Sequence, residues 1–163
     1  MLAPQEVRTF FITAVTWQRR PIFRAEPFAN LFLDTLQRYR TQSKFFIHEF
    51  VLMPDHFHIL LTPATDVSLE KSVQLIKGGF SFRVKKELDS NLEVWEKGYT
   101  EHLVKDATDY ERHVNYIREN PIRARLAETA SDYPYSSAFH SSRTDPTPPW
   151  LKPAPEVALV SPR

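Results

Sequence analysis

Two imidazoles stand two residues apart inside an apolar run, His56 and His58 within the stretch from Phe50 to Leu61. On a β-strand, side chains alternate between faces, so both rings share one surface while Phe57, Ile59 and Leu61 point to the other. Paired imidazoles on one face are how a sheet presents a metal ion. The plainer alternative is a pair of partly buried, hydrogen-bonded histidines. A phenol adds a second kind of chemistry. Tyr110, Val114 and Ile117 form an apolar helical stripe, and His113, Tyr116 and Asn120 project along one flank of it.

Composition narrows what such groups can do. The chain has 163 residues and no cysteine. It is most simply one domain, and a thiolate zinc site is excluded. Any ion must be held by imidazole, carboxylate, amide or phenol groups, which favours a catalytic or substrate-bridged metal. Net charge is +1, so support for a polyanionic partner comes from local clusters. Five basic residues fall between Lys71 and Lys86, and Arg112, Arg118, Arg123 and Arg125 follow. The first residues show no signal-like pattern and no segment has the ~18 apolar residues of a membrane span. A cytoplasmic protein with no membrane partner is the expectation.

The elements that must position these groups follow from periodicity. Thr9 to Trp17 reads as a strand and Pro27 to Tyr39 as a helix. Lys44 to Met53 and His56 to Thr62 read as a hairpin turning at Pro54-Asp55. Ser68 to Leu88 reads as a second helix, weakened by Gly78-Gly79. A short strand over Thr100 to Lys105 completes the order β-α-β-β-α-β. This predicts an α+β, ferredoxin-like (RRM-like) sandwich with helices on one face and an added C-terminal helix. Thr108 and Glu111 have capping-box spacing, so that helix is expected to start at Thr108 and end near Glu119, before Asn120-Pro121. Residues 1–140 form the expected domain. Residues 141–163 form a Pro-rich tail, since six of the thirteen prolines lie between Pro146 and Pro162, expected to be disordered or strapped along the body with Trp150 and Leu151 as anchors.

Several motifs in consistent order carry a resemblance. Met53-Pro54-Asp55-His56-Phe57-His58, Ile76-Lys77-Gly78, Val94-Trp95, the run Tyr116 to Ala124, and Asp132 to Ala138 together resemble the REP-associated tyrosine transposases, within the single-tyrosine HUH group. There are two departures. Asp55 stands where Asn is expected, and Arg125 stands where the family usually has Gly.

The resemblance implies a metal-dependent single-stranded DNA endonuclease and strand transferase. Tyr116 would be the nucleophile, forming a 5′-phosphotyrosine link and freeing a 3′-hydroxyl, so the bond energy is retained. His56 and His58 would hold Mg²⁺ or Mn²⁺, with Asn120 as third ligand. Two imidazoles hold so hard an ion weakly, so affinity without DNA is expected to be low. Asn120 has a rival role as N-cap of a short helix from Pro121 to Glu128. Lys77, Arg83, Lys86, Arg118 and Arg123 are candidate phosphate contacts, and Trp17 or Trp95 candidate stacking platforms, although Trp95 is more often core. His48, His102, His113 and His140 read as structural or surface groups, His102 and His113 being outside candidates for the site. The implied partner is single-stranded hairpin DNA of the repetitive extragenic palindrome type, bound by a monomer, with a dimer as the alternative state. Two other classes stay open: a non-catalytic nucleic-acid-binding module on the same scaffold, which would place aromatic rings on the open face, and a hydrolase of small phosphoesters.

Overall fold

A computed structural model describes residues 7–153; the readings made for Met1 to Glu6 and for 154–163 lie outside the described residues. The elements are β1 (Phe10–Val15), α1 (Glu26–Thr41), β2 (Phe45–Met53), β3 (His56–Pro63), α2 (Leu69–Glu87), β4 (Thr100–Leu103) and α3 (Ala107–Arg123). Every strand pairing is antiparallel and the strand order is β2-β3-β1-β4. A four-stranded antiparallel sheet with the element order β-α-β-β-α-β and an added C-terminal helix is what the sequence led us to expect.

Strand alternation sorts the sheet's side chains onto two faces. Ile12, Ala14, Phe50, Leu52, Phe57, Ile59 and Leu61 pack under α1 and α2 around Phe32, Phe80 and Trp95. Trp95 is 8 % exposed and its indole N–H donates to the Lys77 carbonyl at 3.0 Å, so it belongs to the core. The second face is covered by α3: Val51, Met53 and Leu60 meet Tyr110, Val114, Ile117 and Tyr133. A register shift in β2 between Ile47 and Glu49 breaks the alternation. Ile47 and Phe50 both join the first core, while His48 and Glu49 bond to groups of the other layer.

Gly78 and Gly79 do not interrupt α2. A side chain at Gly79 would collide with the Tyr39 ring of α1, so that glycine marks a close helix–helix approach, whereas Gly78 faces open space.

α3 differs from its expected bounds at both ends. Its N-cap is Asp106, whose carboxylate accepts from the Asp109 N–H at 2.8 Å, so the Thr108–Glu111 capping box is not used. The helix runs through Pro121 to Arg123. Asn120 is therefore helical and its carbonyl accepts from the Ala124 N–H, which overturns the N-cap reading and the short helix from Pro121 to Glu128. Proline is tolerated there because only one intrahelical bond is lost near the helix end and the ring is buried. The true stop is a Schellman motif: Leu126 N–H donates to the Pro121 carbonyl at 2.8 Å and Arg125 N–H to the Ile122 carbonyl at 3.0 Å. Arg125 takes φ 58°, the left-handed position that favours glycine.

The described part of the tail lies along the body. Asp145 accepts from the Arg40 guanidinium at 3.0 and 3.1 Å and from the Ile47 N–H at 2.8 Å. His48 donates through Nδ1 to the Pro146 carbonyl at 2.8 Å, and the Trp150 indole donates to Thr9 at 3.2 Å. The preceding segment pairs with the outer edge of β2, with Leu52 N–H donating to the Tyr135 carbonyl and Ser137 N–H to the Phe50 carbonyl.

Candidate functional site

The hairpin between β2 and β3 sets the site. Met53 pairs with His56, leaving Pro54 and Asp55 as the turn. The Asp55 carbonyl is gripped by the Thr16 N–H at 2.9 Å and the Thr16 hydroxyl at 3.0 Å. The turn is thus tied to the end of β1, and the register places Thr13 beside His58 and Val15 beside His56.

His56 and His58 share the face under α3, as strand alternation requires, with ring centroids 4.8 Å apart. His56 Nδ1 lies 2.7 Å from Asp55 Oδ1. Burial pushes the Asp55 carboxyl up, but the His56 hydrogen bond and Arg19 outweigh it and leave the group below its usual range. An ionised Asp55 can only accept, so His56 donates from Nδ1 and its Nε2 is left for another partner. A carboxylate behind an imidazole is the support that ligating histidines commonly have. The sequence comparison treated Asp55 as a departure; in the structure it orients His56.

His58 is 5 % exposed. Its Nδ1 lies 2.6 Å from the Thr13 hydroxyl. Its Nε2 is the single buried side-chain nitrogen or oxygen among the described residues without a hydrogen-bond partner. An orphaned N–H costs more than an orphaned lone pair, so the favourable tautomer donates from Nδ1 to Thr13 and leaves Nε2 bare. Burial, then the charge of His56, push the His58 imidazole down to about 3, so it is neutral across the physiological range. A neutral His58 with a bare Nε2, set beside His56, fits a divalent ion, and the missing partner of His58 is what a metal would supply.

α3 lays Tyr116 across this pair. The Tyr116 ring meets His58 edge-on at 5.2 Å and Phe11 at 5.9 Å, and the residue is 41 % exposed. The nucleophile candidate therefore has one edge against the histidines and another open to a substrate. Asn120 follows one turn later on the same flank and is half-buried. Phe11 fills the centre of the face, stacked on His58 at 5.2 Å and tilted against His113 at 4.6 Å.

The five candidate phosphate contacts do not converge on one patch. Lys77 Nζ donates to the Glu96 and Gly98 carbonyls at 3.0 and 2.6 Å. Arg83 pairs with Asp34 and Glu87 and bonds Thr35, tying α1 to α2. Lys86 is exposed and its ammonium lies 5.7 Å from the Phe82 ring. Arg118 pairs with Glu49 at 2.7 Å and Arg123 with Glu119 at 3.0 Å, and both keep most of their side chains in solvent on α3. Sequence reasoning missed Glu49, which also accepts from the Ser137 hydroxyl at 2.5 Å. The β2 register shift that turns it inward has no signature in residue type.

Comparison with known proteins is consistent with this geometry. The family model described as "Transposase IS200 like" matches residues 8–120, spanning β1 through Asn120. The REP-associated tyrosine transposase of Escherichia coli (strain K12) is 26% identical over 143 residues, covering 83% of this chain and 82% of that protein. A protein of Haemophilus influenzae (strain ATCC 51907 / DSM 11121 / KW20 / Rd) named for the same group is 27% identical over 144 residues, covering 80% of this chain and 79% of the relative. A solved structure of a REP-associated tyrosine transposase bound to a REP hairpin superposes with TM-score 0.70 at 23% identity, covering 86% of this chain and 82% of that one.

Proposed function

The chain belongs to the IS200-like transposase family, and from that premise we propose that it cuts and rejoins single-stranded hairpin DNA through a covalent link to Tyr116. The observation that carries this reading is the buried, unpartnered Nε2 of His58 set beside His56 and against the Tyr116 ring. A merely structural histidine pair would spend its nitrogens on hydrogen bonds.

In the proposed reaction the Tyr116 oxygen attacks a phosphodiester. The Tyr O–P bond forms as the P–O3′ bond breaks, the phenol proton is lost and the leaving 3′-oxygen is protonated. Tyr116 is held for this by Phe11 and His58 and remains open on its other edge. Mg²⁺ or Mn²⁺ held by His56 and His58, with Asn120 as third protein donor, would neutralise charge on the phosphate. Asp55 and Thr13 fix which nitrogen each imidazole offers. Of the five candidate phosphate contacts, Lys86, Arg118 and Arg123 are the exposed ones. The family and the hairpin held by the structural neighbour support a hairpin DNA partner, and the acting form in this reading is a monomer, with a dimer as the alternative.

The decisive experiment incubates labelled hairpin oligonucleotides with the protein, with and without Mg²⁺ or Mn²⁺, and resolves the products on denaturing gels beside Tyr116→Phe. The expected result is metal-dependent cleavage with a protein–DNA adduct that Tyr116→Phe abolishes. Hairpin binding with no adduct under any condition would replace this reading with a binding module. Against that module stands Phe11: it is the ring beside the two histidines, and His58 and His113 already pack against it.

A further inference from the structure

Three side chains outside the Tyr116 site converge where β4 meets the start of α3. One potential ligand atom from each of His102, Asp109 and His113 lies within 4.8 Å of the other two, and among the described residues this is the one such trio of histidine and acidic groups. His102 Nε2 is 2.7 Å from Asp109 Oδ2, and His113 Nδ1 is 3.4 Å from Asp109 Oδ1. The two rings stack 4.7 Å apart at 22°, so their edges turn toward the same carboxylate.

The trio is pre-set. The Asp109 backbone N–H is held by the Asp106 carboxylate at 2.8 Å, and Asp109 Oδ2 accepts from the Lys105 N–H at 2.9 Å. His113 Nδ1 donates to the Asp109 carbonyl at 2.7 Å, which leaves Nε2 for a ligand, and its ring packs on Phe11 at 4.6 Å. Backbone and carboxylate support of this kind is what orients metal ligands. The His102 side chain is 39% exposed, which provides an entry path.

Two imidazoles and one carboxylate make a nitrogen-rich set of donors. That set suits zinc-like ions better than Mg²⁺, which prefers oxygen. We propose that His102, Asp109 and His113 form a second divalent-metal site, taking a borderline transition ion such as Zn²⁺, that clips β4 to α3 one to two turns ahead of Tyr116. It is separate from the His56–His58 pair, since Phe11 stands between them. It needs no DNA to complete it.

The test titrates Zn²⁺ and, as a spectroscopic probe, Co²⁺ into the DNA-free full chain. A His56→Ala/His58→Ala variant removes the imidazoles of the Tyr116 site. It is expected to keep one equivalent of bound metal, with visible Co²⁺ absorption, and its unfolding midpoint should rise by roughly 5–10 °C at hundred-fold excess over Kd. Adding His102→Ala, a change on an exposed edge residue, should weaken that binding by at least about ten-fold, and His113→Gln should do the same. Far-UV circular dichroism establishes that each variant is folded. Failure of the His56→Ala/His58→Ala variant to bind Zn²⁺ would overturn the proposal, as would binding that His102→Ala and His113→Gln leave unchanged. The Tyr116 reaction does not enter either readout.

Discussion

At the scale of single residues, the buried histidine carries the most physical information. His58 titrates at about 3 in the folded protein because burial, and then His56, oppose its charge; in an unfolded chain a histidine titrates near ~6.5. Between those two values the unfolded state binds a proton that the folded state refuses. Stability is therefore fully present above pH ~6.5 and falls as pH drops through the window, by up to about 1.4 kcal/mol per pH unit for this one group. Urea unfolding at pH 7.5 and pH 5 should show that loss, and His58→Gln should reduce it; an unchanged pH slope in the variant would refute the assignment. The His56, His58 and Tyr116 constellation was legible in the sequence because two periodicities, two for a strand and 3.6 for a helix, place side chains without knowledge of packing. Glu49 and His48 were not legible. They face inward through a local slip in β2 that depends on the opposing strand.

At the scale of elements, the two adjacent glycines of α2 answer to different constraints. Gly78→Ala places a methyl in open space and should stabilise the helix by about 1 kcal/mol. Gly79→Ala places one against the Tyr39 ring and should fall short of that gain or destabilise, as urea midpoints of the two variants would show. The end of α3 gives a second case. Arg125 occupies the left-handed position of the Schellman stop, so Arg125→Gly should raise stability by about 1 kcal/mol with an unchanged urea m-value. The element order was readable from periodicity and breakers, and most bounds agree within a residue or two. The exit of α3 was not. Asn-Pro is a good stop locally, but burial of Pro121 and the hydrogen bonds from Arg125 and Leu126 carry the helix past it.

At the scale of the whole molecule, the sheet is held between two layers: α1 and α2 form the main core, and α3 with the C-terminal segment covers the chemical face. Among the described residues no helix is long and apolar enough to cross a membrane. Anchor residues Trp150 and Leu151 could be named from composition, but the partners of the strap, Arg40 and His48, could not, because roughly a hundred residues of sequence separate each from its contact. The pairing of residues 135–145 with β2 bears on solubility. Strand edges recruit other chains, and here the segment carrying Tyr135, Ser137 and Asp145 occupies the outer edge. A chain shortened after Ala138 keeps Tyr135 and Ser137 but loses the Asp145 cover at Ile47, and should stay folded yet self-associate with rising concentration on size-exclusion chromatography; elution identical to the full chain would count against the idea. This guard is also late in time. All four strands precede residue 133 in the chain, so on the ribosome the sheet can form before its edge is covered, leaving an interval in which neighbouring nascent copies can pair through β2.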